Sequence, residues 1–283
     1  MSLIATLFSS LEMASDLGVA PCWIVCRERL RMKKGSPVAL ESETLYAMVY
    51  MDAELNHSSG YFVDDETSLE SAQVAKINAI LERCDVRPSM RVLDVGCGWG
   101  ATARVAAGRY GAAVTGITLS GEQHRYAVRR QEKDPTDPLI DYRVQRWEEF
   151  SEPVDRIVSV NSFENFENKQ DFFAHCRGLL SAGGIMVLLA VTADRPIFRV
   201  WSKNQMCRSA VEAGFDVRVS ESLASHYART LDLFVDNLKS RRSLGEAVVG
   251  EARLNRHIAY YSRCASLLRS GTNDMFEFTF VAR

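Results

Sequence analysis

The sequence predicts an α/β chain built on a seven-stranded, mostly parallel sheet, with helices on both faces and an antiparallel last strand. Three observations support that expectation. From Arg91 onward, short apolar runs alternate with helical stretches, the order that buries a parallel sheet between two helix layers. The first run, Arg91 to Val95, passes directly into Gly96-Cys97-Gly98-Trp99-Gly100, where missing Cβ atoms let the backbone turn sharply and approach a ligand. Near the end, Phe276 to Val281 alternates aromatic and polar residues after two helical stretches. This reads as a strand returning antiparallel beside the sixth.

Taken in order, the elements begin with a helix over Leu3 to Leu17. The charged run from Arg27 to Lys34 follows, either a solvated helix face or a contact for an anionic surface. Glu41 to Tyr50 is expected to be helical and Leu55 to Phe62 a loop. Thr67 is expected to cap the next helix, with Glu70 closing a capping box. Ala72, Ala75, Ile77, Ile80 and Leu81 then keep helical spacing to about Cys84, before Pro88. Strands are expected at 91–95, 112–117, 140–144, 155–160, 184–191 and 215–220, with helices at 101–110, 121–132 and 169–180. Two further helical stretches, 225–241 and 246–269, precede the last strand.

With 283 residues, 47% of them hydrophobic, the chain can bury one large core. A net charge of -2 and a pI near 6.2 argue against nucleic acid as a partner. The seven cysteines are odd in number and form no Cys-x-x-Cys pair. That excludes a disulfide framework and a zinc knuckle, and predicts reduced thiols in the cytoplasm. No metal site is expected. Met1 to Phe8 lacks the charged start of a signal peptide, and no run approaches the roughly 20 apolar residues of a bilayer span. A homo-oligomer is compatible with these features but not required by them.

The glycine turn has the spacing Gly-x-Gly-x-Gly rather than the dinucleotide Gly-x-Gly-x-x-Gly, so a pyrophosphate is not the first expectation. Asp94 just before it would repel phosphate and welcome a cation. A bulky residue at Gly96 is expected to block a ligand without unfolding the chain. After the second strand, where an acid commonly grips a ribose, stands Thr118, with Gln123 one turn into the next helix. Trp147 and Glu148 follow the third strand. The indole could stack an adenine and the carboxylate could accept its amine, unless the tryptophan simply packs in the core.

Further motifs appear in one order along the chain: Ser68-Leu69-Glu70-x-Ala72-Gln73-x-Ala75-Lys76-Ile77, Asp94 to Thr102, and Thr115-Gly116-Ile117-Thr118-Leu119-Ser120-x-x-Gln123. Trp147-Glu148-Glu149-Phe150, Pro153 to Ser159, Phe163-Glu164-x-Phe166 and His226 to Leu233 complete the series. From Asp52 to Val191, and again from Pro196 to Arg283, the chain resembles the cyclopropane fatty acid synthase and mycolic acid cyclopropane synthase family of class I S-adenosylmethionine-dependent methyltransferases. The resemblance implies the Rossmann-like class I methyltransferase fold. Residues 1–66 would form a helical cap and cofactor-covering loop, and 67–283 the methyltransferase domain, with 192–210 and 221–270 covering the substrate. It places His57, Ser58, Asp94, Gly96, Gly98, Thr118, Leu119, Gln123, Trp147, Glu148 and Asn161 at S-adenosylmethionine.

The family's nucleophile is a carbon–carbon double bond, and methyl transfer leaves a carbocation that must lose a proton. The resemblance implies Glu164 and Tyr260 as members of the group that removes it, there with a bound bicarbonate. Glu167 is a second candidate carboxylate, or a solvated acid opening the next helix. Two positions depart from the family pattern: its cysteine aligns with Ser59 and its histidine with Leu189. Glu164 is therefore expected to act directly as the base.

Tyr61, Phe163, Phe166, Arg195, Arg199, Trp201, Lys203 and Arg208 are expected to face the substrate. The basic residues among them could clamp an anionic head group, or could belong to a solvated helix. With the lost histidine, this favours a small alkene such as geranyl diphosphate; Mg²⁺ would suit the diphosphate, although the sequence has no Asp-rich metal motif. The alternative is a cyclopropane synthase, or a fatty-acyl or mycolyl methyltransferase, using bicarbonate. A non-catalytic cofactor-binding partner subunit is a minor alternative.

Overall fold

The computed structural model describes residues 37–133, 139–193 and 200–283. The expected helix at Leu3 to Leu17 and the run from Arg27 to Lys34 lie outside them. Helices α1 (Pro37–Tyr50) and α2 (Leu69–Arg83) precede the alternating part. That part runs β1 (Arg91–Val95), α3 (Ala101–Tyr110), β2 (Ala113–Thr118), α4 (Gly121–Gln131), β3 (Ile140–Val144), β4 (Val154–Val160), α5 (Lys169–Leu179) and β5 (Leu180–Ala193). Then follow α6 (Lys203–Glu212), β6 (Phe215–Val219), α7 (Ala224–Ser240), α8 (Arg242–Val249), α9 (Glu251–Arg269) and β7 (Asn273–Ala282).

The strands form one sheet in the order β3-β2-β1-β4-β5-β7-β6. Strand β1 pairs in parallel with β2 and β4, and all its residues after Arg91 are buried. The chain leaves β1 toward β2 and β3, then returns to β4 on the other side. Connections that diverge in this way leave a crevice beyond the carboxyl ends of β1 and β4, where ligands of such sheets bind.

Two expectations are corrected. The cap of α2 is Ser68, whose hydroxyl accepts from the Ser71 amide at 3.2 Å, because the Thr67 hydroxyl is already given to Asp64 at 2.6 Å. The expected helix over 246–269 is two helices, broken where Gly250 takes φ +79°. Strand β7 pairs antiparallel with β6, as expected. It lies between β5 and β6, antiparallel to both, from Ile185↔Val281 to Ala193↔Asn273 on one side. Phe276, Phe278 and Phe280 lie on one face and are buried, but Met275 and Glu277 on the other are buried too. A strand covered on both faces belongs in the interior of a sheet.

Apolar residues divide between the two faces. On one, Tyr46, Tyr50, Phe234 and Tyr261 pack α1, α7 and α9 together. On the other, Phe163, Phe172, Phe173 and Phe280 lie under α5 and α6. Phe280 is fully buried, edge-on to Phe173 at 5.3 Å and to Phe215 at 5.9 Å. Phe280→Ala should therefore cost about 3–5 kcal/mol. Chemical denaturation should show a lower midpoint with an unchanged slope, and an unchanged midpoint would contradict this packing.

Candidate active site

The turn after β1 is fastened to β2, since the amides of Gly96 and Cys97 both donate to the Ile117 carbonyl, at 2.9 and 3.0 Å. Gly96 has φ +79°, and a Cβ there would lie 2.5 Å from the Ser162 Cβ. Gly96→Val would therefore disturb the turn itself, which corrects the expectation of a clean block. Gly98 is different: at φ +58°, nothing lies within 4 Å of an added Cβ. Gly98→Ala should cost roughly 1–2 kcal/mol of stability from the left-handed backbone and still fold. Its methyl group would project into the space before the turn. Calorimetry should show cationic-ligand affinity falling, and undiminished affinity would place the ligand elsewhere.

Asp94, at the mouth of the turn, is 2% exposed, and its Oδ2 has no hydrogen-bond partner among the described residues. Burial raises its pKa to about 7, against the attraction of the Lys76 ammonium. The same burial lowers Lys76 to about 8, opposed by Asp52 and Asp94. An acid with a raised folded pKa favours the protonated native state. Its contribution to the stability of the ligand-free protein is complete below 3.8 and is lost as pH rises through 7. Binding of a cation runs the other way. Affinity should rise roughly tenfold between pH 6 and 7.5 as the carboxylate forms, and Asp94→Asn should flatten that dependence. A pH-independent parent in titration calorimetry would contradict this role.

Beside the turn, the Thr118 hydroxyl donates to the Gln123 Oε1 at 2.8 Å, which ties the end of β2 to α4. Leu119 between them is more than half exposed. Trp147 is buried and meets Phe172 and His175 edge-on, so its indole is also a member of the core. Glu148 is paired with Arg146 at 2.8 Å, which occupies one of its oxygens. His57 and Ser58 belong to the 52–61 segment. The His57 ring shares a 2.9 Å hydrogen bond with the Tyr261 hydroxyl, which donates to the Tyr50 hydroxyl at 3.0 Å. Ser58 is buried against α2.

Glu164 sits in a short helical turn after β4 and is 5% exposed. Its Oε1 accepts from the Val191 amide at 2.6 Å and from the Asn161 side chain at 3.3 Å, while its Oε2 has no partner among the described residues. Burial outweighs those bonds and holds its pKa above the usual value. Asn161 reaches Glu164 from a left-handed backbone, φ +50°, its amide fixed to the Leu189 carbonyl at 2.8 Å. A side chain that tolerates this conformation suits the corner. The Tyr260 hydroxyl is buried without a partner among the described residues, and Leu189 is 2% exposed. Leu189, Ser59, Lys76 and Glu277 share the wall of a small pocket.

The remaining expected site residues differ in their surroundings. Glu167 is exposed. Phe163 is 1% exposed inside the aromatic cluster, and Phe166 and Trp201 pack around it. Tyr61 stacks near His226 at 4.7 Å. Lys203 is exposed with its ammonium over the Phe276 ring, and Arg208 is exposed on α6, so the described residues form no cationic clamp. Arg195 and Arg199 lie outside the described residues. Reading the sequence missed Lys76, Asp52, Gln73 and Tyr261. A charged residue in the buried stripe of α2 was the available signal for Lys76.

Among the described residues no group of His, Cys, Asp or Glu could hold a metal ion, and no helix is long and apolar enough to cross a membrane. The five described cysteines are free thiols. Asp94 Oδ2, Asn161 Oδ1 and Glu164 Oε2 are buried acceptors without partners near the carboxyl ends of β1 and β4. Together with open space at Gly98, they suit a cationic ligand rich in donors, as S-adenosylmethionine is.

Comparison with known proteins gives the same direction. A family model described as mycolic acid cyclopropane synthetase matches residues 41–203 and 196–278. Cyclopropane mycolic acid synthase MmaA2 of Mycobacterium tuberculosis is 34% identical over 82% of this chain and 91% of its own. Hydroxymycolate synthase MmaA4 of the same species is 33% identical over 85% and 88%. The solved structure of mycolic acid cyclopropane synthase CmaA1, complexed with SAH and CTAB, superimposes with a TM-score of 0.80 at 32% identity, covering 87% of this chain and 98% of that one.

Proposed function

The chain belongs to the mycolic acid cyclopropane synthetase family of S-adenosylmethionine-dependent methyltransferases, and from that premise we propose that it methylates a carbon–carbon double bond of a lipid acyl chain, with Glu164 as proton acceptor. The bound cofactor supplies an electrophilic methyl group on a sulfonium. Asp94 and the glycine turn would bind its cationic end, and Thr118 with Gln123 would orient its ribose.

The observation that carries the reading is Glu164. The Val191 amide and Asn161 hold one oxygen in place and leave the other without a partner. A buried carboxylate with raised pKa is suited to take a proton from a carbon next to the cation. Leu189 offers that cation an apolar wall in place of water.

Two observations favour an acyl chain over an isoprenyl diphosphate. Lys203 and Arg208 stand exposed on α6, which leaves a diphosphate without a cationic seat among the described residues. The similar proteins are named for mycolic acids, which carry long acyl chains. The sequence-based preference for geranyl diphosphate is therefore replaced by its acyl alternative, while the carboxylate base is retained.

Labelled S-adenosylmethionine offered with unsaturated acyl lipids and, separately, with isoprenyl diphosphates should give methylated products from the lipids. Turnover of the diphosphates alone would overturn the acyl reading. Glu164→Gln should lower turnover on the order of 10²–10⁴-fold with cofactor affinity kept. Added bicarbonate should change the parent rate little. Full activity in Glu164→Gln, or strong bicarbonate activation, would move the proton acceptor off this residue.

A further inference from the structure

Residues 52–61 form no regular element, yet Asp52, Asn56, Ser58, Ser59 and Gly60 are buried. What holds them is polar. The Asp52 carboxylate accepts from the Asn56 amide at 2.7 Å and from its side chain at 2.8 Å, which folds the segment on itself. Gln73 donates to the Ser58 carbonyl at 2.8 Å, and one turn further along α2 Lys76 donates to the Ser58 hydroxyl at 2.8 Å and to the Asn56 Oδ1 at 3.2 Å. At the far end, the Gly60 amide reaches the Thr230 hydroxyl and the Tyr61 amide the Ala72 carbonyl, both at 2.9 Å.

Lys76 is 4% exposed, an unusual place for an ammonium. The carboxylates acting on it are Asp52, inside the segment, and Asp94, at the mouth of the glycine turn. With all three ionised the cluster carries one net negative charge, which complements a ligand of net charge +1. A lysine that served only to fill α2 would not need to bond two residues of a buried loop.

We propose that Lys76 is a positioning residue for cofactor binding, a buried cation that clamps the 52–61 segment onto α2, so that one group seats the loop and lends its positive charge to the same region as Asp94. The proposal rests on S-adenosylmethionine being the ligand of the turn. Removing the ammonium leaves Ser58 and Asn56 without their donor and leaves Asp52 and Asp94 without a counter-charge. Both losses act against a bound cation, one through a loosened loop and the other through an acid that protonates more readily.

The test pairs amide hydrogen exchange with S-adenosylmethionine affinity in the parent, Lys76→Met, Ser58→Ala and a control, Leu81→Ala. Leu81 is fully buried in α2 and makes no bond to the segment, so its truncation lowers stability alone. Lys76→Met should speed exchange at 56–61 and weaken cofactor binding roughly 10- to 100-fold, as loss of charged hydrogen bonds does. Ser58→Ala should speed the same amides with a smaller loss of affinity, and decides the matter if Lys76→Met does not fold. Parent-like protection and affinity in both variants, or equal loosening in Leu81→Ala, would overturn the clamp. A parent that binds no S-adenosylmethionine would sink the assignment of the turn instead, while the exchange measurements would still judge the clamp.

Discussion

A carboxylate buried at the carboxyl end of the central strand is the constraint on which the surrounding structure depends. Asp94 lies between β2 and β4, 2% exposed, in a place where an unpaired charge is costly. The fold lowers that cost in two ways. Lys76 comes in from α2 as a buried counter-charge, and the pKa of the acid rises to about 7, so the ligand-free site need not hold a full negative charge. A site arranged in this way is incomplete without a cation. The remaining expense of burying Asp94 is what a positively charged ligand can recover.

Glu164 solves a similar problem by other means. Among the described residues no lysine or arginine hydrogen-bonds its carboxyl oxygens, and neutral donors, the Val191 amide and Asn161, hold one of them. Lys169 lies nearby and donates to the carbonyls of Glu164 and Phe166, which fastens the backbone of the short turn. An acid held by neutral groups keeps more of its basicity than one neutralised by an ion pair. The contrast divides the crevice into two parts. Near β1 a carboxylate with a counter-charge suits the binding of a cation, and near β4 a carboxylate with neutral partners suits the uptake of a proton.

The sheet order brings the two parts together. Because β1 and β4 are neighbours whose connections run in opposite directions, the turns after both strands open into one crevice. Strand β7 adds a second consequence. By inserting between β5 and β6 it brings Glu277 directly opposite Leu189, and Arg83 of α2 pairs with that buried acid at 2.6 Å. The helix that carries Lys76 toward the cofactor turn is thereby tied to the far side of the sheet as well.

Much of this was legible in the sequence where the signal is local. The alternation from Arg91 onward, the Gly-x-Gly-x-Gly turn after Asp94, and the order of motifs through Glu164 identify the fold, the cofactor and the family, because strand period, turn chemistry and motif spacing are properties of neighbouring residues. That β7 runs antiparallel beside the sixth strand was legible, but its second partner β5 was not, since a run of alternating aromatics fits an edge or an interior. Nor was the bonding of Lys76 to Ser58 and Asn56, residues some twenty positions away that meet it only when the 52–61 segment folds onto α2. A head-group clamp is not settled by sequence either: Lys203 and Arg208, close together in sequence, both stand exposed on their helix, and Arg195 and Arg199 lie outside the described residues. Sequence alone determined which chemistry the chain can hold. Tertiary packing decided which charges are buried, and burial is what turns a carboxylate into a binding group or a base.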